Sequence, residues 1–132
     1  FLLGILICYT LFPLFPSGPP RTVFPGGDLP RHLTIFRRFI LWLLGGYGIH
    51  TSVFPSAHVA GAFSGAFGMM RLLPEHRWVG RSLLVLAILI ATATVYGRYH
   101  YGADALAGFA VSLAALGIVS LTDRIALRRK PF

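Results

Sequence analysis

The sequence predicts an all-α, polytopic transmembrane helix bundle of about four spans with one interfacial helix, and three observations carry that expectation. Of 132 residues, 55% are hydrophobic and 12% charged, whereas soluble domains carry about 25% charge. Uncharged runs cover Phe1–Pro20, Phe54–Met70, Ser82–Gly97 and Ala105–Thr122; as helices rising about 1.5 Å per residue, they approach the thickness of bilayer hydrocarbon. The charges gather between these runs. The net charge of +8 therefore points to lipid headgroups or a phosphorylated substrate and not to nucleic acid.

The first span ends in "LFPLFPSGPPR", and six of the nine prolines fall between Pro13 and Pro30, so a long irregular loop is expected there. Next, "RHLTIFRRFILWLL" places Leu33, Phe36, Ile40 and Leu43 at three- and four-residue steps among Arg37, Arg38 and Trp42. This pattern suits a helix lying at the membrane surface, with a short re-entrant segment as the alternative. Gly45, Gly46 and Gly48 break it. The second span opens at "FPSAH" with Ser56 as N-cap and runs to about Leu73. A polar turn, "PEHRWVGR", leads to a third span ending near Tyr96, and a fourth occupies roughly residues 103–122 before the basic tail "DRIALRRKPF". Residues 1–132 read as one transmembrane domain. The chain opens without methionine inside an apolar run and lacks a basic leader or small-residue cleavage site, which is unlike a signal peptide and is expected of the C-terminal catalytic core of a longer protein. The single Cys8 excludes an internal disulfide.

Alternation of span direction places Arg21, Ser56, His58, Arg98, His100 and Asp104 on one membrane face. The other face receives Arg71, Arg77, Arg81, Arg124, Arg128, Arg129 and Lys130. The excess of basic residues there puts the tail in the cytoplasm by the positive-inside rule and the motif face outside.

His100 and Asp104 are four apart, so on a helix they share a face, within hydrogen-bonding reach. A carboxylate accepting from Nδ1 fixes the imidazole tautomer, turns the Nε2 lone pair outward and stabilises positive charge on the ring. A helix-start aspartate beside an interfacial histidine is the bland alternative. "FPSAH" brings a second histidine, His58, beside the unpaired amides of a helix start, a ready anion site; a capped helix with an incidental histidine is its alternative. Two such accidents converging on one face are less expected than one site. Arg21 and Arg98 add fork-shaped donors suited to phosphate oxygens, or snorkel to headgroups. Arg37 and Arg38 read as headgroup contacts, and His32, His50 and His76 receive no role. "GAFSG" at 61–65 reads as small-residue helix packing and not as a serine nucleophile.

The order "PSAH", a further span and then "HYGAD" resembles the phosphatidic acid phosphatase type 2 superfamily of membrane lipid phosphatases and phosphotransferases, over about residues 9–122. The resemblance implies His100 as nucleophile, Asp104 as its orienting carboxylate, His58 as the acid that protonates the leaving group and Ser56 in the phosphate pocket. The common pattern has glycine before the first histidine and arginine six residues before the second. Here those positions hold Ala57 and Thr94, and the usual lysine-containing first motif is replaced by "GPPR" at 18–21. With "ATVYGRYHYGADALAG", this is similar to the branch that includes inositol phosphorylceramide synthases. Arg21 and Arg98 are then the candidates for gripping phosphate.

The expected function is metal-independent transfer of phosphate from a lipid through a phosphohistidine, to water or to an alcohol acceptor, at an extracytoplasmic site in the plasma membrane. No cofactor is required. A rival of another class makes His58 and His100 axial ligands of a haem in an electron carrier; its discriminating observation is a Soret band. A non-catalytic membrane subunit, the third reading, leaves the motif pair without a task.

Overall fold

A computed structural model describes residues 1–24, 34–36, 38, 39, 42 and 54–128. The described residues form α1 (Leu2–Leu11), α2 (Pro20–Val23), α3 (Ala57–Leu72), α4 (Arg77–Tyr96) and α5 (Gly102–Arg128), with single 3₁₀ turns at Phe12–Leu14 and Pro74–His76. No strand occurs among them, as the sequence predicts. Two helical stretches, Pro74–Tyr96 and Gly102–Ala126, are long and apolar enough to cross a bilayer. The other two expected spans are shorter. Pro13, in the 3₁₀ turn after α1, has no N–H to continue the helical ladder, and Pro74 stands in the same relation to α3. At 16 residues, α3 reaches about 24 Å. The polar turn is also tighter than expected, because helix resumes at Arg77 inside "PEHRWVGR". At the other end, α5 continues into the basic tail.

The predicted interfacial helix lies mostly outside the described residues. Within it, residues 35, 36, 38, 39 and 42 are helical, and the Arg38 N–H donates to the Thr34 carbonyl at 3.0 Å.

Helix α3 is the hub, packing against α1, α4 and α5. Its small residues make this possible, since side chains no larger than a hydroxymethyl let neighbouring backbones come close. Gly61 receives Ile5 from α1, and a Cβ on Gly4 would collide with Ser64. On the α4 side, a Cβ on Gly80 would overlap Met70. Between the helices lies a core of Val59, Phe63, Ala87 and Ala105, completed by an edge-to-face pair in which the Phe63 and Phe109 ring centroids are 4.9 Å apart. Val85, Leu86, Ile88 and Leu89 face outward from α4, and Leu113, Ile118 and Leu121 from α5. Helices apolar on both their packed and outer sides suit a hydrocarbon surround.

The first turns of α3 and α5 meet. The Ser56 N–H donates to the Asp104 carbonyl at 3.0 Å, and a Cβ on Gly108 would stand 2.5 Å from the Ser56 carbonyl oxygen and 3.2 Å from the Ala60 nitrogen. Both neighbours are backbone atoms and cannot rotate away. Gly108→Ala is therefore expected to destabilise the protein by about 2 kcal/mol through overpacking, read as a lower thermal midpoint in detergent. An unchanged midpoint would contradict this account of the crossing.

Candidate active site

Each half of the site is built at a helix start. Ser56, fully buried, adopts extended backbone angles, and its Oγ accepts from the Val59 N–H at 3.3 Å. This is the N-cap that "FPSAH" predicts. His58 follows in the first turn of α3 and is exposed. Ser56 and Pro55 are joined to Phe54 through a cis Phe54–Pro55 peptide.

The other half begins where α4 ends. Its last turn closes with the Arg98 N–H on the Val95 carbonyl (3.0 Å) and the Tyr99 N–H on the Thr94 carbonyl (2.9 Å), the paired bonds of a Schellman motif. The Thr94 carbonyl also accepts from the His100 N–H at 3.2 Å. The chain then turns into α5. Asp104, in the first turn, reaches back so that its Oδ2 accepts from the Tyr101 N–H at 2.8 Å, the carboxylate half of a capping box. The same Oδ2 lies 3.5 Å from Nδ1 of His100. Asp104 thus closes the helix start and backs the histidine with one oxygen.

His100 and Asp104 are 6% and 3% exposed, so their interaction is shielded from water and the carboxylate is a strong local influence on the ring. Across the crossing, the His58 and His100 ring centroids are 5.7 Å apart with planes inclined by 60°. With Nδ1 turned to Asp104, the basic edge of His100 is Nε2. The 3.5 Å separation is longer than a tight hydrogen bond.

Arg21 belongs to α2, within the stretch the sequence marks as an irregular loop. Its N–H donates to the Arg98 carbonyl at 3.2 Å, and its guanidinium carbon stands 4.9 Å from the Tyr99 ring centroid. Arg98 donates through Nη2 to the Phe24 carbonyl. Backbone and ring contacts therefore bring all six residues singled out from the sequence to one end of the bundle. Thr94, where the common pattern has arginine, directs its hydroxyl to the Ala91 carbonyl at 2.9 Å. "GAFSG" packs against α1, as expected. Sequence reasoning missed Tyr99, the Tyr101 amide and Gly108. The tyrosines flanking His100 in "RYHYG" and the small residue one turn after Asp104 were the available signals.

Beside the histidines, an open apolar groove of about 490 Å³ runs between α3, α4 and α5. Val59 and Phe63, Ala91 and Val95, and Gly102 and Leu106 line it. Two of the lining residues are chain neighbours of the site, Val59 next to His58 and Gly102 between His100 and Asp104. Among the described residues, no group of three or more His, Cys, Asp or Glu side chains is placed to hold a metal ion.

Residues 1–118 match the PAP2 superfamily. The chain belongs to this superfamily. Over 63 residues it is 41% identical to a PA-phosphatase related-family protein of Dictyostelium discoideum, a match covering 48% of this chain and 11% of that protein. No solved structure matches.

The geometry has a spectroscopic consequence that does not depend on turnover. In ¹⁵N NMR of histidine-labelled protein, neutral His100 is expected as the Nδ1–H tautomer, donating to Asp104. Asp104→Asn, whose neutral amide oxygen can still accept from the Tyr101 N–H, is expected to weaken that preference, and Asp104→Ala to remove it. A dominant Nε2–H tautomer in the parent protein would contradict the assignment.

Proposed function

We propose that this chain carries the active site of a membrane-embedded lipid phosphatase or phosphotransferase that works through a phosphohistidine on His100. The observation that carries the reading is the pair of imidazoles 5.7 Å apart with a buried carboxylate behind one of them. Membership of a phosphatase superfamily supports the reaction class. In this reading α1 and α3 cross or tilt beside the two longer helices, and the site faces the extracytoplasmic side of the plasma membrane; the smaller number of basic residues on the motif face supports that orientation.

His100 Nε2 donates its lone pair to phosphorus, forming a P–N bond as the P–O bond to the leaving group breaks in line. Protonated His58 gives its proton to the departing oxygen. Asp104 holds the attacking ring and stabilises the positive charge it gains. Arg21, Ser56 and the first amides of α3 surround the equatorial oxygens, whose negative charge must be neutralised as the group moves. Neutral His58 then takes a proton from water or an alcohol, whose oxygen attacks phosphorus and restores His100. An acceptor such as a polyol headgroup makes the same apparatus a transferase; similarity of the motif region to inositol phosphorylceramide synthases supports that arm.

The groove supports a lipid as the phosphate donor. A hydrocarbon chain gains little by leaving lipid for an equally apolar groove, so the groove acts by aligning the chain and therefore the phosphate.

In the intact protein assayed in micelles with long-chain lipid phosphates, His100→Ala and His58→Ala are each expected to lower kcat by about 10³-fold or more with an unchanged thermal midpoint. Near-normal turnover by either variant would overturn the reading. Filling the groove with Val95→Trp is expected to lower kcat/KM for a long-chain phosphate by about tenfold or more, while a water-soluble short-chain ester stays within about twofold. Equal losses on both substrates would remove the groove from the account.

A further inference from the structure

Arg98 is the non-glycine residue with positive φ among the described residues, at 62°. A left-handed conformation crowds the Cβ of an L-residue against its own carbonyl, and the Schellman turn imposes it at this position. Glycine would meet that demand without strain. Gly97 is next door but has φ −73°, so the strained position falls to an arginine.

What the arginine does there is visible at both ends of α2. Its carbonyl accepts from the Arg21 N–H at 3.2 Å, and its Nη2 donates to the carbonyl of Phe24, the C-cap residue. A helix of four residues has no stability of its own, so contacts with the rest of the bundle determine where it lies. Buried Pro19 and Pro20 anchor its start, and Thr22 closes its turn onto the Pro19 carbonyl through both N–H and Oγ1. Arg21, in the first turn, then lies with its guanidinium over the ring of Tyr99, the residue bonded directly to His100. Contact with an aromatic face restrains a guanidinium without using its N–H donors.

We propose that Arg98 is a positioning residue: its left-handed backbone and its guanidinium strap α2 to the α4–α5 turn and so hold Arg21 at the edge of the histidine pair, where Arg21 meets the substrate's phosphate. The proposal rests on the phosphoryl-transfer reading above. It divides the labour of two arginines that the sequence marks alike. Arg21 binds the anion, and Arg98, through its carbonyl and its Nη2, holds the short helix that carries Arg21.

A double-mutant cycle on the intact protein tests this, with kcat/KM for a long-chain lipid phosphate and affinity for inorganic phosphate as paired readouts. Arg98→Gly relieves the left-handed strain, so its thermal midpoint is expected to equal or exceed that of the parent. Yet kcat/KM and phosphate affinity are each expected to fall about tenfold, as Arg21→Ala alone makes them fall. In the Arg21→Ala background, Arg98→Gly is expected to cost less than about a further twofold, the signature of two residues acting as one unit. Full additivity would overturn the proposal, because Arg98 would then contact phosphate on its own account. Absence of loss from either single substitution would overturn it as well. His100→Ala separates the two levels: turnover by that variant removes the phosphoryl-transfer reading, while the cycle on phosphate affinity still decides the strap.

Discussion

The close crossing of α3 and α5 is the constraint on which the site depends. Where they meet, Gly108 lacks a side chain and the Ser56 amide donates to the Asp104 carbonyl at 3.0 Å. Two helix starts are thereby set against each other, and each presents a histidine to the same gap. A side chain at residue 108 would stand too close to the Ser56 carbonyl oxygen, so the two backbones would have to move apart. The core beneath this point, with Phe63 against Phe109, sets the angle from below. Packing and chemistry are in this sense one feature, because the contact that seats the helices also sets the distance between the rings.

The two histidines are chemically unequal, and the difference comes from their surroundings. His100 is buried with a carboxylate at its Nδ1, whereas His58 stands exposed in the first turn of a capped helix. A ring backed by a carboxylate is suited to forming a bond through its free nitrogen and carrying the positive charge that follows. An exposed ring is suited to exchanging a proton with a leaving group or an incoming water. Asp104 links this division to folding, because the oxygen that faces His100 also accepts the Tyr101 amide and closes the start of α5.

Much of this was legible in the sequence because it depends on short-range rules. The four-residue spacing marks Asp104 as the partner of His100, although His100 lies in the bend before α5 and not on the helix, so it is Asp104 reaching back from the first turn that brings them together; the Ser56 cap follows from side-chain chemistry, and apolar runs mark α4 and α5. The lengths of α1 and α3 were less legible, since an uncharged run continues through Pro13 while the helix does not. Helix α2 was hidden for a tertiary reason. Four residues in a proline-rich stretch carry no helical signal, and it is Arg98, more than seventy residues away in the chain, that holds both of its ends. The left-handed Arg98 was hidden similarly, because Gly97 was the residue local propensity would assign to the turn. Sequence put Arg21 and Arg98 together as candidates for holding phosphate; their contacts differ, Arg21 lying over the Tyr99 ring and Arg98 reaching the Phe24 carbonyl.

The central claim is that His100 itself becomes bonded to phosphorus. Rapid acid-free quenching of the intact enzyme with a lipid labelled in its phosphate, followed by peptide mapping under alkaline conditions, tests it most directly. The account expects an acid-labile label on the peptide containing His100, forming and decaying at rates compatible with turnover. Label on His58, or turnover with no labelled histidine at any time, would contradict it.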